Sequence, residues 1–362
     1  MKIAVIGSRG IPVVYSGIER SLEEICPRLV SLGHEVIVYC RQYFRELPAS
    51  YQGVKLRKLP SINTKHLDTL THVCLSTFDV LFRKADIVHF HALGPSVFSF
   101  LPRLEGKKTV VTVHGLDWQR AKWGLIARLC LKGAEHTSAW FPNKTIVVAK
   151  PLKQYYEKQH GIEVTCIPNG VNIPEPRPPQ RIGEYGLAGS DYILFLARLV
   201  PEKGCHHLIE AFNRLDTKLK LVVAGESAHT DRYVEALKGQ ATRNVIFTGR
   251  VQGPLLEELY SNAYLYVLPS EVEGFPISLL EAMSYGRCVV VSDIPENTAV
   301  IQDNGVSFPQ GNVVALAQTL QGLFNQPDLV ETYGTRAQQH VMEHYSWERI
   351  VKLIEQTYAS IL

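Results

Sequence analysis

The chain has 362 residues, of which 46% are hydrophobic and 20% are charged, and its formal net charge at pH 7 is +3. This length predicts two α/β domains, the composition excludes a disordered chain, and the small charge argues against nucleic acid as a partner. The seven cysteines form no C-x-x-C pair, which is typical of a reduced, cytosolic protein without a cysteine zinc cluster. A strand begins just after Met1, so we expect no signal peptide, and no apolar run is long enough to predict a membrane-spanning helix.

The N-terminal segment predicts a βαβ unit. Apolar strands at 3–6 and 35–40 flank a predicted helix at about 18–32. The first loop contains Gly7 and Gly10, which give G-x-x-G and not the G-x-G-x-x-G of a dinucleotide site. These glycines either let a ligand approach the backbone or only permit a tight turn.

Two polar residues follow a later strand. Strands are predicted at 54–59, 86–91, 108–113 and 144–148, and His114 and Asp117 come directly after the third of these. Ligands bind at the carboxyl ends of strands in open parallel sheets, so His114 is a candidate site residue. The alternatives are a structural histidine at 114 and a helix cap at Asp117.

A basic amphipathic helix is predicted at 119–132. Its apolar residues at helical spacing are Trp123, Ile126 and Cys130, and its basic residues are Arg120, Lys122, Arg128 and Lys132. Such a helix can lie on an anionic membrane surface, or it can pack its apolar stripe on its own sheet.

The proline-rich segment 168–179 predicts an interdomain linker. A strand at 192–197 opens the second domain, and Arg198 and Lys203 flank the turn into the next helix. Two cations at such a turn could hold a diphosphate and stabilise the negative charge of a leaving group. The last helix is predicted from Trp347 to about 361, with Ser346 as its N-cap.

The segment 269–283 carries the strongest signal. An apolar strand at 263–268 leads into a turn at Gly274 and a helix, with Pro276 expected in the first helical turn. The helix N-terminus offers backbone N–H groups that suit a phosphate. Glu273 precedes the helix, and Glu281 lies two turns inside it. The alternative is a solvated Glu273 and a salt-bridged Glu281 without a ligand.

This segment resembles the retaining glycosyltransferases of family 4, whose pattern E-G-F-(G/P)-x-x-x-x-E-A-M matches residues 273–283. Residues 198–204 match a second family pattern, R-L-x-x-x-K-G. The resemblance implies an α/β GT-B fold, with two Rossmann-like domains facing a cleft. An acceptor-side domain would comprise residues 1–170 and 346–362, and a nucleotide-sugar-binding domain would comprise 171–345. The final helix would cross back to the first domain.

The resemblance also implies roles for individual residues. Arg198 and Lys203 would bind the diphosphate, Glu273 the hydroxyls of the donor sugar and Glu281 the ribose, while His114 would face the transferred sugar. Arg198, Lys203, Glu273 and Glu281 belong to the donor-binding residues that the resemblance implies. The further members of this set are Gly17, Glu226, Arg250, Val251, Gly274, Phe275, Ile277 and Ser278.

The implied activity is a retaining transfer from a nucleoside-diphosphate sugar to a saccharide or lipid-linked saccharide, in the synthesis of cell-surface polysaccharide. We expect no cofactor and no metal, since the sequence contains no D-x-D motif. The expected location is the cytoplasm, with peripheral contact at the inner face of the membrane left open. Residues 6–20 also resemble a bacterial subgroup that often transfers rhamnose, but 15–19 read Y-S-G-I-E where Y-G-G-F-E is expected.

Two other functions stay open at this stage. A sugar-nucleotide epimerase can share the same fold, and a non-catalytic protein could bind a sugar nucleotide within an assembly complex. The sequence leaves the sugar, the nucleotide base, the acceptor and the oligomeric state undetermined.

Overall fold

The computed structural model describes residues 1–12, 17–44, 47–64, 67–119, 124–227 and 230–362. The chain forms two compact units, Met1–Gly170 together with Trp347–Leu362, and Val171–Ser346. The domain limits expected from the sequence differ from these only in the assignment of Ser346. Each unit is built on a parallel sheet with crossover helices, so the prediction of two Rossmann-like domains is confirmed.

The first unit has, within the described residues, an eight-stranded sheet of order β3-β4-β2-β1-β5-β6-β7-β8. Neighbouring strands are parallel except β3 and β4, which pair antiparallel. The strands are β1 (Lys2–Ile6), β2 (Glu35–Arg41), β3 (Ser50–Tyr51), β4 (Val54–Leu59), β5 (Ile87–His91), β6 (Lys108–Val113), β7 (Lys144–Val147) and β8 (Thr165–Cys166). The helices are α1 (Gly17–Ser31), α2 (Leu67–Leu81), α3 (Leu93–Ser96), α4 (Phe100–Leu104), α5 (Leu125–Trp140), α6 (Lys150–His160) and, from the end of the chain, α14 (Trp347–Ala359).

The last helix belongs to the core of this first unit. Ile350, Ile354 and Tyr358 of α14 are buried in one apolar cluster with residues of α1 and the sheet. A Cβ atom at Gly170 would lie 2.6 Å from the ring of Trp347, so glycine is required where the chain passes this helix. Burial of this apolar face attaches α14 to the sheet, and its return to the first unit was predicted.

The second unit has, over the part of it that is described, a six-stranded parallel sheet of order β11-β10-β9-β12-β13-β14. The strands are β9 (Tyr192–Leu196), β10 (Lys220–Ala224), β11 (Val245–Gly249), β12 (Leu265–Leu268), β13 (Cys288–Ser292) and β14 (Val306–Phe308). The helices are α7 (Cys205–Phe212), α8 (Asp231–Gln240), α9 (Pro254–Asn262), α10 (Ile277–Ser284), α11 (Pro295–Ile301), α12 (Val313–Phe324) and α13 (Pro327–His344).

Both faces of the second sheet are buried. Along β9, Ile193 and Phe195 enter one apolar cluster, while Tyr192 and Leu194 enter the cluster on the opposite face. Parallel strands covered by helices on both faces read as continuous apolar runs, which is why these strands could be predicted. The elements that the sequence did not predict are mostly short: β3, α3, α4, α8, α11 and β14.

One predicted helix was placed wrongly. A single 3-10 turn covers Asp117–Gln119, and the following helix, α5, runs from Leu125 to Trp140 instead of 119 to 132. Ile126 and Cys130 are exposed, so they do not pack on the sheet. Arg120, Lys122 and Trp123 lie outside the described residues. Among the helices that are described, none has the length and apolar character needed to cross a membrane.

Candidate functional site

Four neighbouring strands of the second unit carry candidate residues at their carboxyl ends. β11, β10, β9 and β12 are adjacent in the sheet. Because parallel strands end at one edge, the loops that follow them converge there. The residues that these loops contribute are Arg198 and Lys203 after β9, Glu226 after β10, Arg250 and Val251 after β11, and Glu273, Gly274 and Phe275 after β12.

An ion pair lies at the centre of this edge. The Nζ atom of Lys203 is 2.5 Å from Oε1 of Glu273, and the Ser270 hydroxyl donates to the same oxygen at 2.7 Å. The two charged side chains are only 16% and 5% exposed. Glu273 is therefore buried and paired, so the alternative of a solvated glutamate is wrong.

The turn after β9 packs directly on the loop after β12. Gly204 has φ +68°, and a Cβ atom there would lie 2.0 Å from the carbonyl oxygen of Pro269. Only glycine permits both this backbone conformation and this close approach. The backbone N–H of Glu271 also donates to the carbonyl of Glu202 at 2.9 Å. These contacts hold Lys203 beside Glu273.

Helix α10 begins one residue later than predicted. Pro276 is its N-cap, and Ile277 is the first helical residue. Proline carries no side-chain acceptor to cap the helix, and the first N–H groups of any helix lack intrahelical acceptors. Ile277 and Ser278 therefore offer backbone donors next to the Glu273 loop, as the sequence predicted for a phosphate site.

Glu281 lies on the buried side of α10. Its carboxylate accepts a hydrogen bond from the Tyr260 hydroxyl at 2.9 Å, and the residue is 7% exposed. Tyr266 donates to the Ser278 hydroxyl at 2.9 Å in the same region. Sequence reasoning missed both tyrosines, because neither position stands out within apolar elements. The hydrogen bond from Tyr260 offsets part of the cost of burying this carboxylate.

Of the remaining donor-side candidates, Arg198, Glu226 and Arg250 are exposed, whereas Val251 and Phe275 are half-buried. Nη1 of Arg250 is 3.5 Å from Oε1 of Glu226, and both side chains are exposed, so this pair contributes little to stability. Arg198 is exposed at the end of β9, and Val251 is half-buried. The ring of Phe275 packs 6.1 Å from that of Tyr345.

A further carboxylate was missed by the sequence analysis. Glu296 lies in the first turn of α11, where burial raises its pKa and the charge of Glu273 raises it further. The Asn297 amide donates to the Ser292 hydroxyl at 3.0 Å, and that hydroxyl donates to the Ser270 carbonyl at 2.5 Å. These bonds tie the start of α11 to the Glu273 loop. The signal was a Pro-Glu-Asn turn after a buried strand.

In the first unit, His114 stands at the end of a row of histidines. Its Nε2 atom lies 3.0 Å from Nδ1 of His91, and the two rings stack with centroids 5.3 Å apart. His89 is next, hydrogen-bonded to Thr112 at 2.7 Å and to Tyr358 at 2.6 Å. Burial lowers the pKa of His89 to about 3 and that of His91 well below its ordinary value. His89 is thus a structural histidine, whereas His114 is only half-buried, and all three histidines line one small cavity.

The glycine-rich loop of this unit is shaped by its own packing. Gly7 has φ +112°, and a Cβ atom there would lie 2.5 Å from the carbonyl oxygen of His91. The guanidinium of Arg41, 1% exposed, donates to the Ser8 carbonyl and lies 3.1 Å from Asp68. Gly7 is therefore explained by a tight turn. Gly17 is the exposed first residue of α1, and Tyr15 and Ser16 lie outside the described residues.

Comparison with known families adds two matches that together span most of the chain. Residues 15–174 match the family model described as Glycosyltransferase Family 4. Residues 183–340 match the model described as Glycosyl transferases group 1. The first match falls almost entirely in the first unit and the second falls within the second unit, which carries the Lys203–Glu273 pair.

Individual relatives agree with these matches. The chain is 30% identical to the D-rhamnosyltransferase WbpZ of Pseudomonas aeruginosa, over 72% of this chain and 70% of that protein. Sucrose-phosphate synthase of Thermosynechococcus elongatus has a similar structure, with a TM-score of 0.85, 20% identity and coverage of 99% and 98%. HepE of Anabaena, in complex with UDP and glucose, gives a TM-score of 0.83, 18% identity and coverage of 99% and 100%. The chain has the GT-B fold and is a glycosyltransferase that belongs to family 4.

Proposed function

We propose that this glycosyltransferase moves a sugar from a nucleoside-diphosphate sugar to a saccharide or lipid-linked saccharide, with retention at the anomeric carbon and without a metal ion. The buried Lys203–Glu273 pair beside the start of α10 carries this proposal. It places a cation, a carboxylate and backbone donors at one sheet edge. A sugar diphosphate requires these groups, since it presents both hydroxyls and phosphate oxygens.

The diphosphate would be held by Lys203, by Arg198 and by the N–H groups of Ile277 and Ser278. Fixed cations and amide donors can stabilise the charge that develops on the departing phosphate. They can replace the metal ion that a D-x-D motif would hold, and that motif does not occur in the sequence.

The carboxylates would read the rest of the donor. Glu273 would accept from hydroxyls of the transferred sugar, and Glu281, oriented by Tyr260, would accept from the ribose. Arg250 and Val251 would contact the base through their backbone. HepE, which has the same fold, was crystallised with UDP and glucose, and this supports a nucleotide-sugar donor here.

Retention requires that acceptor and leaving group use the same face of the sugar. The bond from the anomeric carbon to the phosphate oxygen breaks, the bond to the acceptor oxygen forms, and the departing phosphate oxygen takes the acceptor proton. We assign His114 a role in the transfer from the acceptor-side unit. The relative WbpZ is named a D-rhamnosyltransferase, which supports a deoxysugar donor and a role in glycan assembly.

Peripheral membrane contact forms part of this proposal. Leu125, Ile126 and Leu129 of α5 are 76%, 79% and 61% exposed, and Arg128 and Lys132 of the same helix are exposed as well. Exposed apolar side chains are costly in water and favourable in the headgroup region of a bilayer, where basic residues meet anionic lipids. A lipid-linked acceptor would be reached from such a surface.

The test is a thermal-shift screen against UDP-, GDP- and dTDP-sugars, because a ligand that binds the native state raises its melting temperature. The stabilising donor is then incubated with EDTA, alone and with candidate acceptors, and the anomeric configuration of any product is read by NMR. A retained product in EDTA supports the proposal. A donor epimerised without acceptor would favour an epimerase, and a donor that binds but is never consumed would favour a non-catalytic binding protein.

A further inference from the structure

Three metal-ligating side chains converge beside the donor loop of the second unit. His206 and His207 are consecutive residues in the first turn of α7, and Glu271 lies in the loop after β12. One ligand atom from each of the three lies within 4.8 Å of the other two. None of these residues has a part in the proposed transfer.

The spacing requires only a small adjustment to hold one ion. Two ligands of a tetrahedral zinc, at bond lengths of about 2.0–2.2 Å, lie about 3.4 Å apart. Nε2 of His207 is already 3.0 Å from Oε1 of Glu271. The rings of His206 and His207 have centroids 3.9 Å apart. Since the three ligand atoms already lie within 4.8 Å of one another, closing shifts of about 1–1.5 Å would bring them to the ligand spacing of zinc.

The surroundings hold these ligands in place. The Tyr233 hydroxyl lies 2.9 Å from Nδ1 of His206, so Nε2 of that ring would be the nitrogen that binds an ion. A zinc-bound histidine typically bonds through its other ring nitrogen to a polar group in this way. The backbone of Glu271 is fixed on both sides, because its N–H donates to the Glu202 carbonyl at 2.9 Å and its carbonyl accepts from Gln310 at 3.3 Å.

We propose that His206, His207 and Glu271 bind a divalent transition-metal ion, with Zn²⁺ as the best match and water as the fourth ligand. Two imidazoles and one carboxylate suit zinc, whereas Mg²⁺ and Ca²⁺ prefer oxygen ligands alone. The ion would bridge α7 and the loop after β12 and so stabilise the backbone that carries Lys203 and Glu273. It would not take part in the transfer, so the site does not depend on the proposed function.

The experiment is isothermal titration of the full-length protein with ZnCl2, without a histidine tag, under a reductant that does not bind metals. We expect one ion per chain and a melting temperature that rises with Zn²⁺. Excess Mg²⁺ should not displace the ion. His206→Gln/His207→Gln should weaken binding at least about 100-fold, and Tyr233→Phe about tenfold, because outer partners tune metal affinity.

Two controls separate this site from other ligands. His344, exposed on α13 beside Glu343, gives a matched variant, His344→Gln, that should leave the titration unchanged. Co²⁺ spectra should lack the intense thiolate band that binding to Cys205 or another free cysteine would produce. The double histidine variant must keep the wild-type circular dichroism spectrum, and Glu271→Gln provides a milder second test.

Either of two results would overturn the site. The first is that the wild-type protein does not bind Zn²⁺ one-to-one. The second is that the double histidine variant and Glu271→Gln both bind Zn²⁺ with the affinity of the wild-type protein. Donor binding and turnover are measured separately, so a negative result here leaves the glycosyltransferase proposal untouched.

Discussion

The ammonium group of Lys203 lies 2.5 Å from a carboxylate oxygen of Glu273, although 70 residues separate them in the chain. Both side chains are largely removed from water. A buried ion pair is a costly way to stabilise a protein, because desolvation of the two charges offsets most of their attraction. Its presence at the carboxyl edge of the sheet agrees with the proposal that a ligand uses both charges.

Substitutions of the two partners should therefore differ in their effects. Loss of the Lys203 cation should mainly lower stability, and neutralisation of Glu273 should mainly lower turnover. Lys203→Met leaves Glu273 buried without its cation and should lower the free energy of unfolding by about 3 kcal/mol. Glu273→Gln keeps an acceptor for Lys203, should cost only about 1 kcal/mol and should reduce turnover about 100-fold. Denaturant unfolding and donor kinetics measure both, with exposed Lys238→Met as the control. Wild-type turnover in Glu273→Gln would contradict the role assigned to this residue.

His114→Ala should slow transfer without a comparable effect on donor affinity. If His114 makes one hydrogen bond to the reacting sugar, as proposed, its loss corresponds to about 1 kcal/mol, or about fivefold in rate. The matched control is His136→Ala, an exposed histidine on α5. Single-turnover rates and donor dissociation constants separate the two effects. Equal rates in both variants would return His114 to a structural role.

Arg41 should be essential for the fold of the first unit. Its buried guanidinium donates to the carbonyl of the buried Ser8 and pairs with Asp68 at 3.1 Å, so Arg41→Met removes this donor from Ser8 and the cation from Asp68. We expect a loss of about 3–5 kcal/mol in the free energy of unfolding. The control, Arg214→Met, removes an exposed pair with Glu210 and should cost less than about 0.5 kcal/mol. Urea unfolding curves would decide, and equal midpoints would refute the argument.

The buried histidines of the first unit should make the protein sensitive to acid. Burial lowers the pKa of His72 to about 4 and that of His89 to about 3, against an ordinary value of 6.5. Between pH 6.5 and 4 the unfolded chain therefore binds protons that the native chain does not. Stability is complete above pH 6.5 and falls as the pH decreases, by up to about 1.4 kcal/mol per pH unit for each histidine.

The test is urea unfolding across this pH range. His72→Leu should flatten the pH dependence, because one proton uptake is removed, while the exposed His136→Leu should keep the wild-type slope. An unchanged slope in His72→Leu would show that His72 is protonated in the native state as well.

Vesicle binding tests the apolar surface of α5. Leu125→Ser/Ile126→Ser should reduce sedimentation with vesicles that contain anionic phosphatidylglycerol at least about tenfold, since each exposed aliphatic side chain contributes about 1.5–3 kcal/mol when buried. The control is Val314→Ser, an exposed apolar residue of α12 in the second unit. If the α5 variant binds anionic vesicles as the wild type does, this surface has another use. If it instead changes the oligomeric state, that use is self-association.

The sequence by itself indicated the class of fold, most of the strands and the family. Strands buried on both faces must be apolar along nearly their whole length, so β6 could be predicted residue by residue. Glu273 and Glu281 belong to one strand-to-helix segment, and Arg198 and Lys203 belong to an earlier one. Both segments could be predicted, because the residue types in a turn favour its local backbone geometry.

Only the tertiary structure decided which side chains meet. The contact of Lys203 with Glu273, the histidine row that ends at His114 and the pairing of His207 with Glu271 all join residues distant in sequence. The start of α5 was also predicted wrongly, because helical spacing of apolar residues does not reveal whether another element is present to cover them. Local pattern reflects backbone preference and burial, whereas contacts between loops depend on the order of strands in the sheet, and no short stretch of sequence encodes that order.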